Sequence, residues 1–331
     1  MVTSRDVARL AGVSQATVSR ALAHSPKVTA ATLARVQAAM ESLNYVPHAG
    51  AQAMKTRHTK VIGVVVAELT NPFYPEVLDE LTQELDAAGY RVVIWNAGGG
   101  RHHDALKAIR ERAVDGVIFT TATEDSATLH AALQTGSPIV LINRVVPDLD
   151  CDQVSSDNVS GGAAVADYLV AHGRIRAAFI GGPENTSTSH DRRRGFLDRM
   201  AARGHAVSDD LRFHGDYSHD RSFQIMTNLI ASDAAVDSVF CANDFMAFGA
   251  LDAVHRRGLS VADDVWVIGY DDVEIAAWDS LNLTTVRQPS REMARAGARM
   301  LLQRLTSPDI ATQRLVFPSE LVIRASARAR N

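Results

Sequence analysis

Ser14, Gln15, Ala16, Thr17, Ser19 and Arg20 fall within one run, SQATVSR, whose side chains form a set of short hydrogen-bonding tools. An arginine can place two hydrogen bonds on guanine and a glutamine two on adenine, while an alanine can touch the methyl group of thymine. The hydroxyls of Ser14 and Thr17 suit phosphate oxygens, which position a protein without telling it the sequence. Such contacts require the run to lie on a helix with little bulk on its outer face, because bulk would hold it away from base edges.

The flanking residues supply that helix. Thr3 and Asp6 are spaced as an N-cap and a first-turn acid, so a first helix is expected just after Thr3, with Val7, Ala8 and Leu10 on its buried side. Gly12 can take the left-handed conformation that ends it. Ser14 is placed to cap a second helix, with Val18 and Leu22 inward, Val13 anchoring the turn, and Gln15, Ala16, Ser19 and Arg20 outward. Two short helices joined through a glycine turn describe a helix-turn-helix, whose second helix enters the major groove. A third helix is predicted from Thr29 to Leu43, since Leu33, Val36, Met40 and Leu43 share a face, and Tyr45 and Pro47 end it.

Charge points the same way. Residues 1–60 hold eight Lys and Arg against only Asp6 and Glu41, a net +6, while the 331-residue chain as a whole carries −4 and the remainder therefore −10. A basic head on an acidic body implies a polyanion partner for the head alone. No apolar run approaches the roughly 18 residues that span a bilayer, and the N-terminus is charged within its first six residues, so a cytoplasmic protein is expected. Cys151 and Cys241 lie far apart with no C-x-x-C, which predicts two buried thiols.

TSRDVARLAGVSQATVSRAL, followed by LNYVPHAGAQAM, closely resembles the DNA-binding headpiece and hinge of LacI/GalR family repressors. The resemblance implies that the segment after Tyr45-x-Pro47 forms a hinge helix on operator DNA and that Met54 takes the place of a leucine wedged into the minor groove, where an apolar side chain unstacks and kinks the duplex. His48 stands where the family usually has asparagine, Gln52 removes a common arginine, and Gly50 costs a helix about 1 kcal/mol relative to alanine, so this hinge is expected to be disordered away from DNA. The implied DNA-facing set is Thr3, Ser14, Gln15, Ala16, Thr17, Ser19, Arg20, Thr29, Thr32, Tyr45, His48, Ala51 and Met54.

From Val61 onward, short apolar runs (VIGVVVA, RVVIWNA, DGVIFT, PIVLIN, AAFIGG, SVFCAN, DVWVIGY) alternate with helical stretches such as those near residues 74–88 and 158–172. Continuous β-branched runs separated by helices indicate parallel sheets buried on both faces, and the length favours two subdomains. Asn143 with Arg144, Asn243 with Asp244, and Asp271 with Asp272 follow strands, where open α/β sheets bind ligands. The fold expected is a small all-α helix-turn-helix headpiece (residues 1–46), a hinge (47–60), and an α/β periplasmic-binding-protein-like core of two doubly wound parallel-sheet subdomains. The first subdomain takes residues 61–158 and 288–315, and the second 159–287 and 316–331.

The likeness to the LacI/GalR family continues through VVVAELTNPFY, RRRGF, VFCANDFMAFGAL, VWVIGYDD and LTTVRQP, and implies an effector cleft between the subdomains. Carried over position by position, Phe73, Tyr74, Arg192, Tyr217, Asn243 and Asp271 hold the effector. The resulting reading is a sequence-specific transcriptional repressor: a homodimer on a pseudo-palindromic operator, controlled by a small molecule such as a sugar or sugar derivative. Control by a protein partner is the alternative, and a solute-binding protein a further one. Enzyme signatures are missing: Gly98-Gly99-Gly100 is not G-x-G-x-x-G, and neither G-x-S-x-G nor H-E-x-x-H occurs. His102, His103 and Asp104 are adjacent and so diverge around a helix; no metal and no cofactor is expected. VIRASARARN lacks the leucine heptad of a tetramerising coiled coil. The basic head predicts that DNA affinity falls steeply as salt rises, through counterion release; filter-binding titrations showing affinity indifferent to salt would contradict the assignment.

Overall fold

The computed structural model describes residues 2–22, 25–46, 58–97, 103–123, 125–232, 234 and 236–328. His48, Ala51 and Met54, with the rest of the expected hinge up to residue 57, lie outside them. The chain divides into two units, residues 1–59 and 60–331.

In the first unit, α1 (Ser4–Ala11), α2 (Gln15–Leu22) and α3 (Ala30–Ser42) enclose a core of small residues: Val7, Ala8, Ala11, Val18, Ala21, Val36 and Ala39. The Asp6 carboxylate accepts from the Thr3 backbone N–H at 3.0 Å and from its hydroxyl at 2.7 Å, which fixes the start of α1. Gly12, at φ 63°, ends it. Leu10 departs from expectation. It is 55% exposed, because the inward stripe of α1 runs through Val7, Ala8 and Ala11 and leaves Leu10 on the far side. Thr29 caps α3, its hydroxyl accepting from the Thr32 N–H at 3.3 Å.

The second unit holds two six-stranded sheets. The first is built from β1 (Val61–Val66), α4 (Phe73–Ala87), β2 (Arg91–Asn96), α5 (His103–Arg110), β3 (Gly116–Phe119), α6 (Ala127–Leu133), β4 (Ile139–Ile142) and β5 (Asp152–Ser156). The second comprises α7 (Asn158–Ala171), β6 (Ala177–Gly181), α8 (Ser187–Ala202), β7 (Arg212–His214), α9 (His219–Ala231), β8 (Ser238–Cys241), α10 (Asp244–Arg256), β9 (Trp266–Asp271) and β10 (Thr284–Arg287). The chain then returns to the first sheet through α11 (Ser290–Thr306) and β11 (Arg314–Phe317), and ends in the second with β12 (Glu320–Val322).

Strand orders are β11-β5-β4-β3-β1-β2 and β12-β10-β9-β8-β6-β7, all parallel except the edge strand β12. Burial on both faces is visible in the alternation along β1. Ile62, Val64 and Val66 join one apolar cluster with Leu81 and Leu85 of α4, while Val65 joins another with Ile109 of α5 and Leu129 of α6. The edge strands β2 and β11 are exceptions, leaving Val93, Ile94, Leu315 and Val316 exposed because β2 pairs only with β1 and β11 only with β5. All of β11 belongs to the first sheet, so the last crossing follows Phe317, two residues beyond the expected boundary at 315. Both thiols are buried, and burial pushes Cys151 and Cys241 up to about 12.

Each sheet reverses its winding beside its central strand, between β1 and β3 and between β6 and β8. Ligands of doubly wound sheets settle at the carboxyl ends of strands at such switch points. The helices that supply the second sheet's side of this region are locked together by glycines. A Cβ on Gly195 of α8 would lie 2.0 Å from the Val159 carbonyl oxygen of α7, and one on Gly162 would lie 2.3 Å from the Arg192 carbonyl oxygen. Gly195→Ala should therefore lower stability in urea unfolding by about 1–3 kcal/mol, the usual cost of overpacking; an unchanged midpoint would show that the two helices separate freely.

Candidate functional site

The run RRR at 192–194 begins one helical turn into α8, and the helix sends its arginines to different environments. Arg192 is 2% exposed and projects toward the ends of β8 and β9. Its Nε donates to Asn158 Oδ1 at 2.8 Å and its Nη1 to the Ala242 carbonyl at 2.6 Å. Nη1 also lies 3.3 Å from Asp271 Oδ1, and the guanidinium sits 3.7 Å over the Tyr270 ring. Burial works against the charge, yet Asp271 and the surrounding phenols raise the guanidinium above its ordinary value. Arg194 instead pairs at the surface with Asp191.

Asp271 ends β9 at φ 124° and is held by Gln288, whose Nε2 donates at 2.7 Å. Burial pushes its carboxyl up to about 7, against the pull of Arg192 and Gln288. Behind it, Asp244 is fully buried and stands well above the usual carboxylate range, through burial first and the neighbouring Asp271 second. It accepts from the Thr285 hydroxyl and from the Val273 N–H. Asn243 uses its amide oxygen to cap α10, accepting from the Met246 N–H at 2.9 Å.

Phe73, Tyr74, Arg192, Tyr217, Asn243 and Asp271, the six expected effector residues, line one cavity. Phe73 and Tyr74 arrive there because the Asn71 side chain accepts from the Phe73 N–H at 3.0 Å and opens α4. Tyr217 stands in a turn at φ 57°, its hydroxyl 2.9 Å from that of Thr188. The same cavity also takes in Asn71, Asn143, Arg144 and Thr188, which were absent from the expected set. Polar strand ends flagged Asn143 and Arg144; Thr188 carries a signal only in hindsight, as the residue four before Arg192 on one helical face.

Asn143 and Arg144 are 7% and 8% exposed, and Asn143 Oδ1 and Arg144 Nε are buried without a hydrogen-bond partner among the described residues. Buried polar atoms left unpaired are costly. Asn143 also holds φ 75°, so unpaired groups and left-handed backbone coincide at the end of β4, and Asp271 and Asp272 hold φ 124° and 58° at the end of β9. Strain of this kind gathers where a site is pre-organised. The cavity itself is about 20 Å³, room for little more than one water molecule.

In the first unit, Ser14, Gln15, Ala16 and Arg20 are exposed and Thr17 and Ser19 half-buried. The Thr17 N–H donates to Ser14 Oγ at 3.1 Å, and the two hydroxyls lie 2.9 Å apart. Gln15 donates from Nε2 to Ser4 Oγ at 2.8 Å, which ties the start of α2 to the start of α1. Thr3 and Thr29 are exposed, and Thr32 and Tyr45 are half-buried. Among the described residues, no helix is long and apolar enough to cross a membrane, and no group of three or more His, Cys, Asp or Glu is placed to hold a metal ion.

Residues 3–48 match the model of the lacI family of bacterial regulatory proteins, and residues 166–327 that of a periplasmic binding protein-like domain. The ribose operon repressor of Escherichia coli strain K12 is 33% identical over 331 residues, covering 99% of this chain and all of the relative. Among solved structures, a complex of the transcriptional regulator CelR with cellobiose is similar at 31% identity and a TM-score of 0.76, covering 99% of this chain and 100% of that one. A Lac repressor dimer bound to operator and an anti-inducer is similar at 26% identity and a TM-score of 0.87, covering 99% of each chain. With a helix-turn-helix at its head, two sheets of this topology behind it, and a repressor matched along its whole length, the chain belongs to the LacI family of bacterial transcription regulators.

Proposed function

We propose that this regulator reads its operator through Gln15, Ala16 and Arg20 and responds to a sugar held between its two sheets. The observation that carries the second half is the set of unpaired buried atoms on Asn143 and Arg144, facing a cavity that also presents Asp271, Asn243 and Thr188. A polyhydroxylated ring supplies what these groups need: hydroxyls that donate to Asn143 Oδ1 and to the Asp271 carboxylate, and oxygens that accept from Arg144. Phe73 and Tyr217 offer aromatic surface to its apolar faces. Two relatives point the same way, one a repressor of a ribose operon and the other a regulator complexed with cellobiose.

A pentose does not fit in about 20 Å³, so the sugar enters only as the two sheets part, and the chain closes on it with different contacts from those it makes empty. A ligand shifts a conformational equilibrium only through such a difference in affinity for its two states. Dimerisation, as in the Lac repressor structure, would set two recognition helices about one DNA turn apart, roughly 34–36 Å, on a palindromic site. Thr3, Ser14, Thr17, Ser19, Thr29, Thr32 and Tyr45 then serve the backbone and the packing of the reading helix. The test is a thermal-shift screen of sugars, sugar acids, nucleosides and purines on the full chain, followed by operator titration with each hit. A melting temperature unmoved by every compound would defeat the effector assignment while leaving DNA reading intact.

Arg20→Ala should relax the preference at one base pair of each half-site by about 1–3 kcal/mol, the discrimination a bidentate contact carries; binding to randomised half-sites measures it, and an unaltered preference removes Arg20 from the readers. Arg144→Ala should weaken the effector without changing operator affinity in its absence, as two titrations on the same preparation would show. A third expectation concerns pH. Asp271, with its carboxyl raised to about 7, accepts sugar hydroxyls best when ionised. Effector affinity should therefore fall as pH drops from about 8 to 6, since the proton must leave first. Calorimetry showing affinity flat or rising over that window would contradict the role given to Asp271. For the fold the sign is the reverse: the proton held by folded Asp271 between its ordinary 3.8 and about 7 adds stability that is complete below that window and lost as pH rises through 7.

A further inference from the structure

The second arginine of the run, Arg193, opens onto a different cavity. This one, about 250 Å³, lies on the second sheet beside the edge strand β7, and Phe179, Phe213, Ser189, His190, Arg193 and His214 are among its walls. Helical spacing explains why it stands apart from the cleft. Thr188 and Arg192 face the cleft, whereas Ser189 and Arg193, each one residue later and again four apart, face the neighbouring cavity. Gly182, in its wall, packs against the Tyr217 ring of the cleft; a Cβ there would lie 2.4 Å from that ring.

Two of its polar side chains are unpaired. Ser189 is 3% exposed, and neither its hydroxyl nor the half-buried Arg193 guanidinium makes a hydrogen bond or ion pair among the described residues. Ser189 stands in the first turn of α8 and Arg193 one turn further on; the N-cap of this 16-residue helix, Thr186, makes no side-chain capping bond, so the first-turn N–H groups add positive potential beside Ser189. The His190 and His214 imidazoles line the same space. His214 Nε2 lies 3.5 Å from the one acidic side chain in the wall, Glu184, and His190 lies 3.3 Å from Asp191. Arg212, also in the wall, is already engaged with Asp209 and the Val207 carbonyl.

We infer that this cavity is a second ligand site, for a small phosphate monoester of sugar size. A guanidinium, the hydroxyl of a buried serine and two imidazoles exceed what the two oxygens of a carboxylate can use, and match the three oxygens of a phosphate. The Phe179 and Phe213 rings take the carbon skeleton, and the volume is too great for inorganic phosphate alone. Because Gly182 touches Tyr217, a ligand here bears on one wall of the cleft. The site stands whether or not the cleft binds a sugar.

The test is calorimetry on the full chain with glucose 6-phosphate as probe, beside glucose, glucuronate and inorganic phosphate. Glucose 6-phosphate should bind one per chain and more tightly than the other three. Arg193→Gln should weaken it at least about tenfold, as loss of a charged hydrogen bond does, and Ser189→Ala severalfold, with both variants melting as the parent does. In the cleft variant Arg144→Ala its affinity should not change. No binding at millimolar glucose 6-phosphate overturns the site, as does binding that survives both Arg193→Gln and Ser189→Ala; binding lost in Arg144→Ala instead places the probe in the cleft and equally overturns it.

Discussion

The buried pair of Arg192 and Asp271 is the contact on which the ligand-binding half of the molecule turns. One guanidinium ties together Asn158 at the start of α7, the Ala242 carbonyl just beyond β8, and the carboxylate at the end of β9. A buried ion pair adds little net stability compared with apolar packing, but removing one partner strands the other at a cost of about 3–5 kcal/mol. Its value here is positional. It holds the carboxyl ends of two strands and the start of a helix in one register, with Tyr270 packed against the guanidinium face. The close approach of α7 and α8 through Gly162 and Gly195 makes that register possible, since an added Cβ would push apart the helices that carry Asn158 and Arg192.

Around this pair, the two sheets share one architecture with opposite demands. Their interiors are apolar and alternate between faces, which fixes the strands. Their carboxyl ends are polar and partly unsatisfied, which leaves Asn143 and Arg144 with bonds to make. The chain crosses between the sheets three times, after Ser156, after Arg287 and after Phe317, and the crossing segments carry Gln288 to Asp271 and Ser290 to Glu76. Glu76 of α4, in the first half, also accepts from the Glu274 N–H of the second at 2.9 Å. The Glu274–Glu76 and Gln288–Asp271 bonds join the two halves beside the cleft, so the geometry of the crossings and that of the cleft are linked.

Legibility in the sequence followed chemistry. The head was readable because its caps, glycine turn and small outer residues are local signals; only Leu10 misled, since an eight-residue helix has room for a narrow inward stripe. Seven strands announced themselves as β-branched runs. β5, DQVSS, did not, because its buried positions are polar and satisfied from afar: Asp152 pairs with Arg304 at 2.6 Å, and Gln153 exchanges bonds with Val146 at 2.9 and 2.8 Å. The resemblance placed Arg192 and Asp271, but the split of the arginine run between cleft, second cavity and solvent depends on the packing of α8, which no local pattern records.

Because effector control is a coupling between two sites, it must be reciprocal: the factor by which a ligand changes operator affinity equals the factor by which operator changes ligand affinity. The decisive measurement is therefore a thermodynamic cycle on the full chain, with operator affinity determined with and without the best cleft ligand, and ligand affinity determined with and without operator. The account predicts two equal factors well away from one, both collapsing toward one in Arg144→Ala. Two factors of one, with a ligand demonstrably bound, would contradict it.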